Sequence, residues 1–557
     1  MSVSIPRGAS WLYESAPAES VFTPEQMTDE HRLIRQTSDE FVANDVMPAI
    51  EQLDRKDWAF VRELVRKCAE LGLIGTDAPE EYGGLGLDKV SSLIVSESVG
   101  RLASWAVTFG GQTGLSITPL LCFGTEEQKR RYLPRLVSGE MIGAYALSET
   151  GSGSDALGAR CRATRQPDGS FLLTGEKMWI TNGGFADFFT VFAKVQGGPS
   201  DAGPAPPKPS AEGGQFTAFL VERAFAGVTT GKEEHKMGLH GSSTVPLILQ
   251  EAPVPAANVL GDVGKGHKVA FNVLNYGRFK LGAMCSGGAR FVIGEAAKYA
   301  SERRQFGRAL AGFGAIRYKL AEMTVRQFAV ESMLFRMAGL LDAYEGDALA
   351  ALEEYAVEAS IIKVAGSEML DYVVDENVQI HGGNGFVRDY PAERHYRDAR
   401  VNRIFEGTNE INRMLIPGMI VKRGLLPTPS ADAPLKQAAH LVLGTAGRKF
   451  GSALGEQQEV LMFTADILID AFAADCVWLR ARASGDALHR AVATIYTNDA
   501  ISRAEAAARN ALAAMGEAGA AQLPALRRLM DVPPVNTIPL RHQVTDALLA
   551  RKKYPFA

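Results

Sequence analysis

The sequence predicts an α+β fold in which a helical domain, a β domain and a second helical domain follow one another, with an additional helical domain at the C-terminal end. Apolar residues recur at helical spacing on both sides of a central stretch of short runs rich in aromatic and β-branched residues. A proline-rich stretch, LLPTPSADAPL (425–435), precedes an Ala-rich tail with helical periodicity. The expected domains cover residues 25–140, 141–262, 263–424 and 436–557.

Helical spacing of apolar residues predicts the helices of the first domain. Residues 29–50 and 58–71 both show this spacing, and Gly72 fits a helix end after the second of them. A third helix is expected over residues 91–102.

Residues 102–125 carry no charged side chain, a length that could span a bilayer. The stretch also contains Gly110, Gly111, Gly114, Pro119 and Gly124, with Ser, Thr and Gln throughout. A lipid-facing helix would be more uniformly apolar. We therefore expect a helix–turn–helix that is buried inside the protein.

Short strands are expected from Ile142 onward, where runs such as IGAYALS, KMWIT and DFFTVFAKV alternate with Gly, Pro and Asp turns. These runs predict a barrel-like β domain with a Pro-, Gly- and Ser-rich loop at 196–215. The pattern is helical again beyond Gly264. Long helices are predicted near 267–301, 313–344, 350–380 and 408–422, and in the tail over 459–482 and 489–515.

The composition excludes several classes of protein. The chain has 59 Lys and Arg against 64 Asp and Glu, a formal charge of −5, and 46% of its 557 residues are apolar. A disordered chain would be less apolar, and a general nucleic-acid or membrane-surface protein would carry a basic excess. We therefore expect a globular protein that has neither nucleic acid nor a membrane as a partner.

Cysteine and histidine usage bears on location and on metals. The five cysteines are dispersed, none forms a CxxC pair, and the N-terminal residues lack the apolar core of a secretory signal. These features predict reduced thiols and a cytoplasmic location. The histidines are scattered singly, so no metal site is expected.

The segment GSGSD (151–155) has two interpretations. Gly-Ser turns can direct successive backbone N–H groups at a phosphate. Taken alone the motif is weak, and a solvated turn between strands is the favoured interpretation.

Four segments carry the candidate functional residues: AYALSETGSGSD (144–155), GEKMWITNG (175–183), SERRQFG (301–307) and QIHGGNGFVRDYPAERHYRDARVNRIFEGTNEINR (379–413). In their order and spacing they closely resemble the acyl-CoA dehydrogenase flavoprotein family. The resemblance covers roughly residues 25–424. It implies the acyl-CoA dehydrogenase fold, with a C-terminal four-helix domain, and FAD as the cofactor.

The resemblance implies oxidation of a saturated acyl-CoA thioester to a trans-2-enoyl-CoA, as in fatty acid β-oxidation. A base takes the α-proton while the β-hydrogen leaves as hydride to flavin N5. Glu406, in FEGTNE, matches this base, although a Glu near a helix N-terminus is also favoured by the helix dipole. Some relatives carry the base before an Arg on an earlier helix, but here Gly277 precedes Arg278.

By the same resemblance, the first two segments supply flavin contacts. The implied residues are Tyr145, Leu147, Ser148, Gly153, Ser154, Trp179, Ile180 and Thr181. Trp179 would stack near the flavin ring, and the Thr181 hydroxyl would bond N5. Ser154 matches a serine near the pyrophosphate and the CoA portion of the substrate.

The last two segments match further cofactor contacts. Arg303, Gln305 and Phe306 match residues that reach the FAD of a neighbouring subunit, which implies a homodimer. The remaining matches are Gln379, Gly382, Gly383, Thr408 and Glu410. An electron-transferring flavoprotein is the implied electron acceptor.

Substrate contacts are implied for Ser154, Arg278, Phe405 and Gly407. Gly110, Gly111 and Gly114 fall where the family lines its acyl pocket, so they are expected to leave space for a long acyl chain. The additional tail is similar to the very-long-chain branch of the family, whose members are dimers. Both features predict a long-chain substrate.

Two departures and two alternatives accompany the resemblance. Thr150 stands where the family usually has Pro, and Phe405 replaces the Tyr that often precedes the base. One alternative is a non-catalytic flavin-binding assembly or scaffold protein of the same fold, against which Glu406 argues. The other is a flavin oxidase, against which the FEGT and WIT sequences argue.

Overall fold

A computed structural model describes residues 6–196, 214–424 and 433–556. Its chain divides into two compact units. One unit is formed by residues 33–280, and the other by the residues up to Arg32 together with those from Leu281 onward. The first unit contains most of the first predicted domain, the whole of the predicted β domain and residues 263–280 of the predicted bundle, and the second unit contains the rest of the bundle and the additional helical domain.

Helices precede the sheet, as predicted. They are α1 (Asp29–Phe41), α2 (Ile50–Asp54), α3 (Trp58–Glu70), α4 (Lys89–Val99), α5 (Ala103–Gln112), α6 (Thr118–Phe123) and α7 (Glu126–Val137). The helix expected over 29–50 is interrupted by a π-helical turn at Val42–Val46 and a 3-10 turn at Met47–Ala49. Pro48 cannot donate a backbone hydrogen bond, which accounts for the altered pattern. Helix α3 ends as expected, with Gly72 in the left-handed region at φ 76°.

The uncharged stretch 102–125 is not the helix–turn–helix that its glycines suggest. Helices α5 and α6 are joined by a π-helical segment, Thr113–Ile117, without a reversal of the chain. Ser116 and Thr118 donate their hydroxyls to carbonyls five residues earlier, and Pro119 supplies no N–H. The stretch is largely buried. No helix in the described part of the chain is long and apolar enough to cross a membrane.

The β region of the same unit forms one sheet. Its strands are β1 (Gly143–Ala146), β2 (Arg162–Arg165), β3 (Phe171–Thr181), β4 (Phe188–Gln196), β5 (Gln215–Glu222), β6 (Val228–Thr230), β7 (Thr244–Val254) and β8 (Val259–Leu260). They lie in the order β6-β7-β3-β2-β4-β5-β8, with β1 paired to β4. The pairs β1–β4 and β2–β4 are parallel, and the others are antiparallel. Fully buried phenylalanines fill its core: Phe188, Phe189, Phe192 and Phe219.

A helical bundle follows the sheet. Its elements are α8 (Gly266–Glu302), the hairpin β9 (Arg304–Gln305) and β10 (Arg308–Ala309), α9 (Gly314–Ala343), α10 (Ala348–Glu354), α11 (Ala356–His381), α12 (Ala392–Ala399) and α13 (Asn409–Lys422). The expected helices near 267–301, 313–344 and 408–422 are confirmed. The helix expected near 350–380 is two helices, which separate at Tyr355.

The additional helical domain consists of α14 (Pro434–Phe450), α15 (Gln458–Ser484), α16 (Ala487–Ala514), α17 (Glu517–Ala520), α18 (Leu523–Met530) and α19 (Ile538–Arg551). The bounds of α15 and α16 lie within two residues of the helices predicted over 459–482 and 489–515. Helix α14 already begins inside the expected linker. The rest of that linker (425–432) and most of the predicted loop at 196–215 lie outside the described residues.

Candidate active site

The candidate site residues divide between the two units. The unit of residues 33–280 carries the segments around Tyr145, Trp179 and Arg278, together with the glycines of α5. The other unit carries Glu406 and the residues around Arg303 and Gln379.

A β-bulge shapes the segment of β3 that carries the candidate flavin residues. Tyr145 lies on β1, followed by Leu147 and Ser148, and the carbonyl of Ser148 accepts a hydrogen bond from the Met178 N–H at 2.9 Å. The register of β3 against β7 shifts between Lys177 and Ile180. Trp179, inside this shift, has a left-handed φ of 60°. The bulge leaves the Trp179 indole 56% exposed while Ile180 remains buried.

A buried ion pair that the sequence analysis missed supports this segment. Lys177 is fully buried, and its Nζ donates to the Leu147 carbonyl at 3.1 Å and to Glu149 Oε1 at 2.7 Å. Glu149 also accepts the backbone N–H groups of Arg160 and Cys161 at 2.6 and 3.0 Å. Burial alone would raise the pKa of Glu149, but Lys177 and these hydrogen bonds hold the pKa below its usual value.

Strand parity could have identified Lys177. It lies an even number of residues from Phe171 and Leu173, which face the core. A lysine on the core-facing side of a strand needs a buried hydrogen-bond or ion-pair partner, so its position alone predicts one.

The GSGSD segment is a turn whose two serines have different surroundings. Ser152 is buried, and its hydroxyl donates to the Asp155 carbonyl at 2.6 Å, so it stabilises the turn. Gly153 and Ser154 are exposed, and a Cβ placed on Gly153 would meet no atom within 4 Å. The exposed indole of Trp179 and the open face of this turn fit a flavin nucleotide, because one offers a ring to stack on and the other offers polar groups.

The glycines of the uncharged stretch do not share one environment. A Cβ on Gly111 would lie 2.8 Å from Asn182 Nδ2, which donates to the Thr108 carbonyl at 3.0 Å. The expectation of open space at Gly111 is therefore not met, because Asn182 occupies it. Gly114 is buried, yet a Cβ there would meet no atom within 4 Å. Gly110 is half-buried near the end of α5.

Arg278 lies on α8 and is 5% exposed. Its Nη1 donates to Asn275 Oδ1, one helical turn earlier, at 2.8 Å. The guanidinium is thus held in the interior rather than on the surface.

In the other unit, Glu406 lies in a constrained loop before α13, which we call the base loop (residues 405–408) because it carries the candidate base. Glu406 and Gly407 both have left-handed φ angles, 59° and 77°. Such a conformation is costly for a residue with a side chain and persists where surrounding bonds enforce it. Thr408 caps α13 by accepting the Ile411 N–H at 3.3 Å.

Two side chains missed by the sequence analysis hold the base loop. Asn412 Nδ2 donates to the carbonyls of Glu406, Gly407 and Thr408 at 3.4, 2.9 and 3.0 Å. Lys363, fully buried on α11, donates to the Gly407 carbonyl at 2.7 Å and to Asn409 Oδ1 at 2.6 Å. The signal in the sequence was a lysine inside the apolar run SIIKVAG.

The remaining cofactor candidates of this unit are exposed. Arg303 and Gln305 lie at the hairpin of β9 and β10, and Phe306 at its tip is 92% exposed with a φ of 51°. Gln379, Gly382 and Gly383 are exposed around the end of α11, and Glu410 is exposed in the first turn of α13. Phe405 and Gly407 are half-buried.

Comparisons with known proteins identify the family. Models described as the N-terminal, middle and C-terminal domains of acyl-CoA dehydrogenase match residues 28–140, 144–252 and 264–419. Another acyl-CoA dehydrogenase C-terminal domain model matches residues 434–528. The chain therefore belongs to the acyl-CoA dehydrogenase family, a family of FAD-dependent oxidoreductases that act on CH–CH groups.

Individual relatives agree with this assignment. A probable acyl-CoA dehydrogenase of Bacillus subtilis is 40% identical, over 99% of each chain. The very long-chain specific enzyme of rat mitochondria is 40% identical over 69% of this chain and 56% of its own length. A crystal structure of an acyl-CoA dehydrogenase complexed with FAD from Bacillus anthracis has a TM-score of 0.92 and 39% identity, and covers 98% of this chain and 99% of that one.

Within the described ranges, no group of three or more His, Cys, Asp or Glu side chains could hold a metal ion.

Proposed function

We propose that this protein converts long-chain acyl-CoA thioesters into trans-2-enoyl-CoA thioesters, with Glu406 removing the α-proton. The observation that carries the proposal is the base loop, in which Glu406 is held in a left-handed conformation by hydrogen bonds to the carbonyls that follow it. A base fixed in this way is preorganised for proton abstraction. FAD, when bound, supplies the acceptor for the β-hydrogen.

The α-proton of a thioester is a weak acid, so the site must stabilise negative charge on the thioester oxygen. We assign this role in part to the backbone N–H of Glu406. Arg278, Phe405, Gly407 and Ser154 contribute substrate contacts. A general base is most effective when its pKa lies close to the working pH.

Several of the candidate residues are proposed to hold FAD. Trp179 would stack near the flavin ring, and the Ser148 and Thr181 hydroxyls would be available as hydrogen-bond donors to it. Further contacts come from Tyr145, Leu147, Gly153, Ile180, Gln379, Gly382, Gly383, Thr408 and Glu410. Arg303, Gln305 and Phe306 serve the FAD of a second subunit, so the active form is a homodimer. An electron-transferring flavoprotein then accepts the electrons.

The preference for long acyl chains is supported by the empty space beside Gly114 and by the additional helical domain. A residue with a side chain at position 114 would extend into that space. Activity is accordingly expected to be higher with palmitoyl-CoA than with butyryl-CoA, and profiling across acyl lengths checks this preference.

Replacement of the base tests the reaction itself. Glu406→Gln keeps the shape of the side chain and removes its basicity, so we expect the bound flavin to remain while its reduction by palmitoyl-CoA slows by about 10³-fold. Bleaching of the flavin absorbance under anaerobic conditions measures that reduction. Equal bleaching by the wild type and the variant would overturn the assignment. Unchanged absorbance of the wild type would favour a non-catalytic protein, and reoxidation by O₂ as fast as turnover would favour an oxidase.

A further inference from the structure

We propose that the additional helical domain helps to position the base loop through a chain of side-chain contacts that starts at Asp466 on α15. We call this chain, formed by Asp466, Arg413, Glu368, Asn409 and Lys363, the loop relay. The proposal rests on the proposed role of Glu406 as the base. Asp466, Arg413 and Glu368 are positioning residues in it, because they act on the loop through other groups.

The inner end of the relay is buried. The carbonyl of Gly407, directly after the base, accepts a hydrogen bond from Lys363 Nζ at 2.7 Å. The same ammonium donates to Asn409 Oδ1 at 2.6 Å, and Asn409 is 2% exposed. Rotation of the Asn409 side chain would therefore alter the environment of Lys363, and with it the anchor of the Gly407 carbonyl.

The outer end of the relay crosses into the additional domain. Asn409 Nδ2 donates to Glu368 Oε1 at 3.0 Å. Glu368 receives a bidentate pair from Arg413, with distances of 2.6 and 2.9 Å, and Arg413 Nε donates to Asp466 Oδ1 at 2.8 Å. A guanidinium bound on both sides in this way has a fixed plane.

The charge of Glu368 depends on this arrangement. Burial would raise the pKa of Glu368, but the hydrogen bonds and charge of Arg413 hold the pKa below its usual value. Glu368 therefore remains an acceptor for the Asn409 amide, which keeps the Asn409 oxygen directed towards Lys363. Because Glu406, a residue with a side chain, has a left-handed φ angle, the loop depends on such external bonds to keep its conformation.

Two substitutions on α15 distinguish an effect of the loop relay from a general loss of domain attachment. Asp466→Ala removes the outermost contact of Arg413. Asp475→Ala, on the same helix, removes a carboxylate that pairs with Arg336 and Lys436 at 2.7 Å each. Both changes weaken the attachment of the additional domain, but neither Arg336 nor Lys436 bonds the base loop or the relay residues.

Two measurements read out the relay. We expect Asp466→Ala to slow flavin reduction by palmitoyl-CoA about tenfold, with little change in the Kd of the thioester. Amide hydrogen exchange of peptides that cover 404–412 should become faster in the same variant. Asp475→Ala should lower the unfolding temperature without either effect. Asp466→Asn, which keeps an oxygen for Arg413, should lie between Asp466→Ala and the wild type.

The outcomes separate the relay from the proposed function. Unchanged exchange in Asp466→Ala, or equal effects of Asp466→Ala and Asp475→Ala, would overturn the relay even if the wild type oxidises acyl-CoA. If the wild type does not react with acyl-CoA while exchange rises only in the Asp466 variants, the relay stands and the role of Glu406 is overturned.

Discussion

Lys177 and Lys363 are fully buried lysines that each hold a backbone carbonyl beside a functional segment. Lys177 anchors the residues that follow β1, and Lys363 anchors the base loop. In both cases one charged side chain replaces the hydrogen bonds that regular secondary structure would have provided. An ammonium can do so because its three N–H groups lie on one nitrogen and can bind several oxygen acceptors that are close together.

The ion pair of Lys177 and Glu149 predicts a pH dependence of stability. The pKa of Glu149 in the folded protein lies below its usual value. Its contribution is therefore complete above the pKa of the unfolded chain, about 4.3, and is lost as the pH falls through the lower folded-state pKa. Glu149→Gln leaves the Lys177 charge without its partner and should cost about 3 kcal/mol at pH 7, with a smaller difference from the wild type below pH 4.

Urea denaturation of the wild type and the variant at both pH values measures this difference. Glu176→Gln is the control, because Glu176 is on the same strand and exposed, and it should leave the free energy of unfolding unchanged. A difference between wild type and Glu149→Gln that stays constant down to pH 3 would contradict the assignment.

Sequence alone predicts the candidate base and the candidate flavin segments, because these residues lie in contiguous motifs. It did not identify Glu149 and Lys363, whose partners come from other parts of the fold, or Asn412, whose partners are carbonyls four to six residues earlier. Glu149 bonds Lys177, 28 residues away, and Lys363 bonds a carbonyl 44 residues away. Such partners follow from tertiary structure and not from spacing.

At the scale of elements, periodicity predicted most helices but not how they are interrupted. Between α5 and α6 the chain stays helical and buried, but its backbone hydrogen bonds change to the π pattern. The spacing of apolar residues does not reveal this change. The break between α10 and α11 falls at Tyr355, which is neither Gly nor Pro. The Tyr355 hydroxyl donates to the Pro6 carbonyl at 2.9 Å, so a tertiary contact stabilises the residue at the break.

The π-helical segment leads to a prediction about substrate length. Gly114 is buried beside empty space, so Gly114→Leu should fill that space. We expect the ratio of activity with palmitoyl-CoA to activity with butyryl-CoA to fall at least about tenfold, since steric exclusion affects the longer chain. Gly111→Ala is the control, because its Cβ would meet Asn182 instead and should lower stability without changing the ratio. An unchanged ratio in Gly114→Leu would argue against an acyl pocket at this position.

At the scale of the whole chain, buried ion pairs attach the additional helical domain to the helical bundle. Arg480 on α15 is 1% exposed and donates to Glu331 on α9 at 2.8 Å and to Glu25 near the N-terminus at 2.7 Å. Arg541 on α19 pairs in the same manner with Glu322 on α9 at 2.6 Å. These pairs cross from the additional domain to segments far away in the sequence, so the extension is integral to its unit.

Removal of one member of such a pair should be far more costly than removal of a surface charge. Arg480→Met removes one of two guanidinium partners of the fully buried Glu331, which keeps Arg290 at 3.3 Å, and it also removes the partner of Glu25. We expect a loss of about 3 kcal/mol in the free energy of unfolding. Arg509→Met is the matched control, because Arg509 pairs with Glu505 on the surface of α16 and should cost less than about 0.5 kcal/mol. Urea denaturation compares the two variants with the wild type. Equal stability of both variants would mean that Glu331 is neutralised without Arg480, and that this ion pair does not contribute to the attachment of the domain.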